Sequence, residues 1–260
     1  MKTLSAIHLA GLGLVTAGAM VATQTVSAKD FAGGEISGSA AVSNIYLFRG
    51  IDQSSYSAGS GSSFGTGAIS GGIDYSNSGA YVGLWATSGM AGTNETDVYL
   101  GYGIELDSGL SVDLNVISYV YSGNDSTGLG GGFDQVGDWS EVILTVGYST
   151  DDISGSVQYA DNVSGANGYT YLAFSAEFGD ISATLGFQNP EEAAGQTYDD
   201  DVTHLDVTYS YNDNLSFTLS KVVAADDEIN VNNSGEYSGS GYSDVDNDAI
   251  FVVSYSLPIE

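Results

Sequence analysis

Apolar and polar residues alternate with a period of two along most of the chain. Over 97–106 one parity carries Val98, Leu100, Tyr102, Ile104 and Leu106, and the other Asp97, Tyr99, Gly101, Gly103 and Glu105. Leu110, Val112, Leu114, Val116 and Val120 then oppose Ser111, Asp113 and Asn115, and Val142, Leu144, Val146 and Tyr148 oppose Glu141, Thr145 and Gly147. Further along, Leu172, Phe174, Ala176 and Phe178 oppose Ala173, Ser175 and Glu177, and Leu205, Val207, Tyr209 and Tyr211 oppose His204, Asp206, Thr208 and Ser210. Successive strand side chains point to opposite faces, so this pattern predicts β-strands with one apolar face. No segment carries a convincing apolar stripe at helical spacing. Twelve strands are predicted, near 35–49, 66–76, 80–88, 95–107, 110–122, 139–149, 153–160, 168–178, 181–189, 202–211, 215–224 and 248–257.

The connections alternate as strictly as the residues. Tight turns follow every second strand: Asn77-Ser78-Gly79, Asp107-Ser108-Gly109, Thr150-Asp151-Asp152, Gly179-Asp180 and Asn212-Asp213-Asn214. Between them lie longer polar connections, the largest near 50–65, 123–138, 190–201 and 225–247. An even number of antiparallel strands with short turns at one end and long loops at the other is the plan of a bacterial outer-membrane barrel. Lipid offers the backbone no hydrogen bonds, so strands cross it only as a closed ring. The sequence therefore predicts an all-β, antiparallel transmembrane β-barrel of about twelve strands. Aromatics near strand ends are candidate interfacial girdles. Tyr75, Tyr81, Tyr148, Phe178, Tyr209 and Tyr211 flank the short turns, and Tyr119, Tyr121, Trp139 and Tyr169 the long loops.

The N-terminus carries an address. Lys2 precedes a small, apolar core from Leu9 to Val21, which ends in Val26-Ser27-Ala28, a small-x-small cleavage site. The core is shorter than the roughly 20 residues of a spanning helix, so residues 1–28 read as a secretory signal peptide and 29–260 as the barrel. The predicted location is the outer membrane of a Gram-negative bacterium.

Charge sharpens the picture. The 260 residues include 33 Asp or Glu against 4 Lys or Arg, a formal net charge of −29, and no Cys. So few cations make no basic face, which excludes nucleic-acid binding. The lack of Cys excludes thiolate metal sites, disulfides and thiol catalysis. After loss of the leader the cations are Lys29, Arg49 and Lys221.

One stretch is distinctive: Asn44-Ile45-Tyr46-Leu47-Phe48-Arg49-Gly50-Ile51-Asp52-Gln53, followed by Gly71-Gly72-Ile73-Asp74-Tyr75, Ser78-Gly79 and Tyr81-Val82-Gly83-Leu84-Trp85-Ala86. These pieces resemble the TorF-type porin family of proteobacterial outer-membrane proteins. Asp97 to Tyr102, Tyr119 to Gly123 and Trp139 to Val142 resemble later parts of its pattern. The chain departs from the family in the Ser/Gly stretch Ser54 to Gly65 and in ending Leu257-Pro258-Ile259-Glu260, without a terminal aromatic. The resemblance implies an outer-membrane barrel with a transport role and no particular substrate.

The polar parity of such a barrel faces the bore. This makes Arg49, Asp97, Glu105, Asp113, Glu141, Glu177, His204 and Asp206 the candidate pore-lining residues. Arg49, placed at the top of the first strand, either shapes a constriction or braces the wall by bonding to carboxylates. The sequence does not fix its partner, and Glu141 is one candidate. His204 lies two residues from Asp206, but no nucleophile-elbow motif sits in a persuasive context, so no catalytic residue, enzymatic step or cofactor is expected. Asp244, Asp246 and Asp248 begin like a calcium-binding loop. Ala249 then stands where Gly is needed and Tyr255 where Glu is needed, which makes them weak Ca²⁺ candidates. The expected function is a narrow passive channel for small solutes or ions that prefers cations. The alternative is a non-conducting structural or interaction barrel with divalent-cation-binding acidic loops. Expected partners are outer-membrane lipid and lipopolysaccharide, with homo-oligomers an open possibility.

Overall fold

The computed structural model describes residues 26–53, 67–88, 93–123, 134–165, 169–189, 201–225 and 249–257. The strands are β1 (Val26–Phe31), β2 (Gly34–Ser43), β3 (Leu47–Phe48), β4 (Ile51–Asp52), β5 (Ala68–Asn77), β6 (Ala80–Thr87), β7 (Thr93–Glu105), β8 (Leu110–Gly123), β9 (Trp139–Ser149), β10 (Ile153–Ser164), β11 (Thr170–Phe178), β12 (Ile181–Asn189), β13 (Val202–Ser210), β14 (Leu215–Ala225) and β15 (Ile250–Ser256). From β5 to β15 each strand pairs antiparallel with the next, and β2 pairs with both β5 and β15. Twelve strands thus close into one antiparallel barrel, as the alternation requires. All five predicted tight turns sit between consecutive strands, within a residue or two of the expected bounds. The first of them, at Ser78-Gly79, has φ of +53° and +90°, the primed hairpin turn that matches strand twist.

Closure is short at the seam, where β15 meets β2 only at Ser43, Val42 and Ala41. Asn44 extends it. Its amide N donates to the Val253 carbonyl (3.2 Å), its Nδ2 to the Phe251 carbonyl (3.0 Å), and its Oδ1 accepts from the Val253 N–H (2.7 Å). Below the seam β1 folds back onto β2, from Phe31 opposite Gly34 to Val26 opposite Gly38. It covers an edge that would otherwise present unpaired backbone groups.

The two parities separate as expected. Ile69, Leu84, Leu100, Leu114, Leu144, Phe174, Val207 and Leu219 are exposed on the outside of the ring. So extensive an apolar outer surface is foreign to a water-soluble domain. Phe31, Tyr102, Tyr148, Phe178, Tyr209 and Tyr211 are exposed beside the short turns and form one aromatic girdle. The predicted second girdle is not there. Tyr119, Tyr121 and Tyr169 face inward and are buried, Trp139 packs against them, and Tyr81 also points into the bore. Each of these side chains lies on the polar parity of its strand, so proximity to a strand end misassigned what the alternation places inside. Lys221 lies on the outward parity with Leu219, opposite Leu205, toward the long-loop end.

The largest departure concerns the first strand, predicted to run to residue 49. It ends at Ser43, and residues 44–53 turn into the barrel as a small hairpin in which Leu47 pairs with Asp52 and Phe48 with Ile51. The apolar residues that extended the pattern, Ile45, Tyr46 and Leu47, are buried inside the bore. Ile45-Tyr46-Leu47-Phe48 is a continuous apolar run, which suits a wall strand and a buried hairpin alike.

Candidate functional site

The hairpin turns at Arg49-Gly50, with φ of +48° and +82°. A two-residue primed turn needs positive φ at both positions. Arg49, at the first, is the non-glycine residue that bears the strain. The turn projects its guanidinium onto Glu141 of β9: Nη2 donates to Oε2 at 2.8 Å and Nη1 to Oε1 at 3.0 Å. This is a two-pronged pair, with Arg49 2% and Glu141 1% exposed. Nη1 also donates to the Tyr169 hydroxyl (3.0 Å), and the guanidinium carbon lies 4.3 Å from the Tyr171 ring centre and 4.8 Å from that of Phe48. Burial works against the charge on Arg49. Glu141, with Tyr169 and Tyr119, outweighs it and holds the guanidinium above its ordinary range, so it stays ionised.

Other contacts bind the hairpin to walls on several sides. Gln188 of β12 donates from Nε2 to the Arg49 carbonyl (2.7 Å) and accepts at Oε1 from the Tyr169 hydroxyl (2.9 Å). Ile45 and Leu47 pack on Val252 of β15. Tyr46 reaches toward β6 and β7, its ring tilted against Trp85 with centres 5.9 Å apart, and donates to Glu95 Oε1 at 2.6 Å. Burial, then the Glu95 and Asp97 carboxylates, push the Tyr46 phenol well above its usual range, so it remains a donor. The hairpin therefore spans the bore in its long-loop half.

His204 stacks on Tyr171 with ring centres 6.0 Å apart. Its Nε2 shares a hydrogen bond with the Tyr171 hydroxyl (3.1 Å), and its Nδ1 lies 3.1 Å from Asp206 Oδ2. Tyr171, not a serine hydroxyl, thus occupies the His204 nitrogen that a hydrolase would use. Gly50 and Gly186 lie against His204 so closely that a Cβ on either would overlap its side chain. Gly186→Val should lower stability by about 1–3 kcal/mol through overpacking, read as a lower temperature for loss of the heat-modifiable folded band on gels.

The candidate residues divide by depth. Asp97, Asp113, Glu141, His204 and Asp206 face the interior. Glu105 and Glu177 share that parity but are exposed near the short turns, beside Ser111 and Ser182, so they border the rim. Below the hairpin, Tyr81 donates to Asp113 (2.9 Å to Oδ1) and Tyr99 to Asp74 (2.5 Å). The facing wall is hydroxyl-rich: Ser175 bonds Thr184 and Thr208 bonds Thr218. Tyr46, Asp74, Glu95, Tyr171 and Gln188 are not among the pore-lining candidates from sequence, which assigns Tyr169 to a girdle instead. Glu95 shares the parity of Asp97, and Tyr169 that of Tyr171, so parity alone would have found them. Asp244, Asp246 and Asp248 lie outside the described residues. Among the described residues no group of three or more His, Asp or Glu side chains is placed to hold a metal ion.

A closed antiparallel ring with an apolar outside and a polar, acidic inside defines a transmembrane β-barrel of the outer-membrane type. The chain belongs to the family described as "Bacterial protein of unknown function (Gcw_chp)", whose model matches residues 27–239. None of the curated proteins matches it. Similar solved structures are outer-membrane porins. The KdgM porin is 10% identical over 86% of this chain and 98% of its own, with a TM-score of 0.46. Pseudomonas aeruginosa OprD is 14% identical over 88% of this chain and 68% of its own, with a TM-score of 0.39. Acinetobacter baumannii OccAB3 is 9% identical over 88% and 66%, with a TM-score of 0.41.

Proposed function

We propose that this protein is an outer-membrane porin: a narrow, passive channel for small solutes that prefers cations, with the hairpin of residues 44–53 as its constriction. The observation that carries the reading is the charge of the bore. Asp74, Glu95, Asp97, Asp113, Glu141 and Asp206 face it, and among the described side chains Arg49 is the cation set against them. An interior of one sign, walled by low-dielectric protein, concentrates counter-ions and repels co-ions. The TorF-type resemblance is strongest in the stretch that forms the hairpin, which supports a transport role. No chemical step or cofactor is part of the reading.

In this reading residues 1–28 direct export and are removed. Cleavage after Ala28 leaves Lys29, Asp30 and Phe31 of β1, still paired with Ile36, Glu35 and Gly34. The long loops then face outward, toward lipopolysaccharide.

The test is a reversal potential across planar bilayers in a KCl gradient at low salt. The expected sign is that of K⁺ preference, and chloride preference would sink the proposal. A second reading, a non-conducting structural or interaction barrel whose acidic loops bind divalent ions, draws support from the burial of the hairpin. Folded protein that passes no current would favour it.

A further inference from the structure

Arg49 neutralises Glu141, but the same tier of the bore holds another buried acid. Asp97 is 1% exposed and its Oδ1 has no hydrogen-bond partner. In the sheet it lies directly between Trp85 of β6 and Tyr119 of β8, with Glu95 and Tyr99 next to it on the inward face of β7. Tyr46 of the hairpin lies at this corner, bonded to Glu95 and tilted against the Trp85 ring. The corner thus combines an unsatisfied carboxylate oxygen, a second carboxylate and several aromatic rings.

A carboxylate removed from water is costly unless a cation or a proton compensates it. We propose that a partly dehydrated monovalent cation of the K⁺ type occupies this corner, held by Asp97 Oδ1 and the neighbouring Glu95 carboxylate. The site rests on the cation-preferring channel reading and names where that preference is exerted. The surroundings select the kind of ion. A divalent ion holds its hydration shell far more tightly than a monovalent one, and a buried corner of two carboxylates and aromatic rings does not replace that shell. Ring faces attract cations, and the attraction grows when the ion sheds its water, which favours weakly hydrated K⁺ over Na⁺. Because Tyr46 belongs to the hairpin, the bound ion and the constriction share a wall.

Trp85 adjoins the site, and the chain has only two tryptophans, so Trp139→Phe makes Trp85 the sole tryptophan reporter. Full-length folded protein in detergent is titrated with KCl in exchange for N-methylglucamine chloride at constant ionic strength. A saturable change in Trp85 emission is expected, weaker in NaCl. Asp97→Asn, nearly isosteric and checked for the heat-modifiable folded band, should weaken K⁺ binding at least tenfold, while Asp152→Asn in a short turn should not. A non-saturating response overturns the site, as does equal binding by Asp97→Asn. So does a protonated-carboxyl infrared band, present in saturating K⁺ at neutral pH and lost in Asp97→Asn. Binding is read without current, so the two ideas fail separately. No K⁺ response in a cation-selective channel overturns the site alone, whereas chloride selectivity overturns the channel reading.

Discussion

Glu141→Ala is expected to raise single-channel conductance several-fold while the barrel stays folded. The substitution leaves a guanidinium buried without its carboxylate. Losing one partner of a buried pair costs about 3–5 kcal/mol, enough to shift a local equilibrium by roughly two to four orders of magnitude. The hairpin is where that cost is relieved, because moving it returns Arg49 to water while the strand ladders remain intact. Glu141 itself stands on β9, whose pairing with β8 and β10 does not involve the hairpin. The double variant Arg49→Ala/Glu141→Ala should behave more mildly than Glu141→Ala alone, since removing both charges leaves neither unpaired. Planar-bilayer recordings of the three proteins check this. Additive effects of the two substitutions, or an unchanged conductance in Glu141→Ala, would show that the pair does not hold the hairpin.

Gly50→Val should open the channel by a different physical route. Position 50 has φ of +82°, and a Cβ there would overlap the His204 side chain. A β-branched residue is strained in the left-handed region whatever the space around it. The variant therefore loses both the turn and its seat on the wall, and its conductance should rise to that of Glu141→Ala. Gly179→Ala supplies the comparison. Its φ is +58°, but nothing lies within 4 Å of the added Cβ, and it sits in the short turn between β11 and β12. It should cost about 1 kcal/mol of stability and leave conductance unchanged. Wild-type conductance in folded Gly50→Val protein would place the hairpin outside the path of the current.

Strand number, turn positions and inward parity were all legible in the sequence. Each rests on a local rule, namely alternation along a strand and turn chemistry between strands. The inward direction of Asp97, Asp113, Glu141, His204 and Asp206 followed from parity alone. The hairpin did not, because Ile45, Tyr46, Leu47 and Phe48 satisfy the strand pattern equally well on the wall or inside the bore. What decides between them is non-local: Arg49 and Glu141 are separated by 92 positions, and Arg49 and Gln188 by 139. The second aromatic girdle failed for a local reason, since its tyrosines lie on the inward parity of their strands. Tyr119, Tyr121 and Tyr169 stand where a girdle would, but their hydroxyls have polar partners only inside. Tyr119 donates to Glu141 at 3.1 Å, and Tyr169 to Gln188. The Arg49 to Glu141 pair was one candidate among several acids until the register brought β9 to the hairpin turn.

The central claim is that a cation-preferring bore is constricted by the inward hairpin. The most direct measurement compares the wild-type protein with a variant in which residues 45–53 are replaced by a short Gly/Ser linker, keeping Asn44 and its bonds across the seam. Both are recorded in planar bilayers under a KCl gradient, with folding confirmed by heat-modifiable migration. The wild type should show small conductance with a reversal potential of cation sign. The variant should show conductance several-fold larger with the sign preserved, because Asp74, Asp113 and Asp206 remain on the wall. Equal conductances in the two proteins, or chloride selectivity in either, would contradict the account.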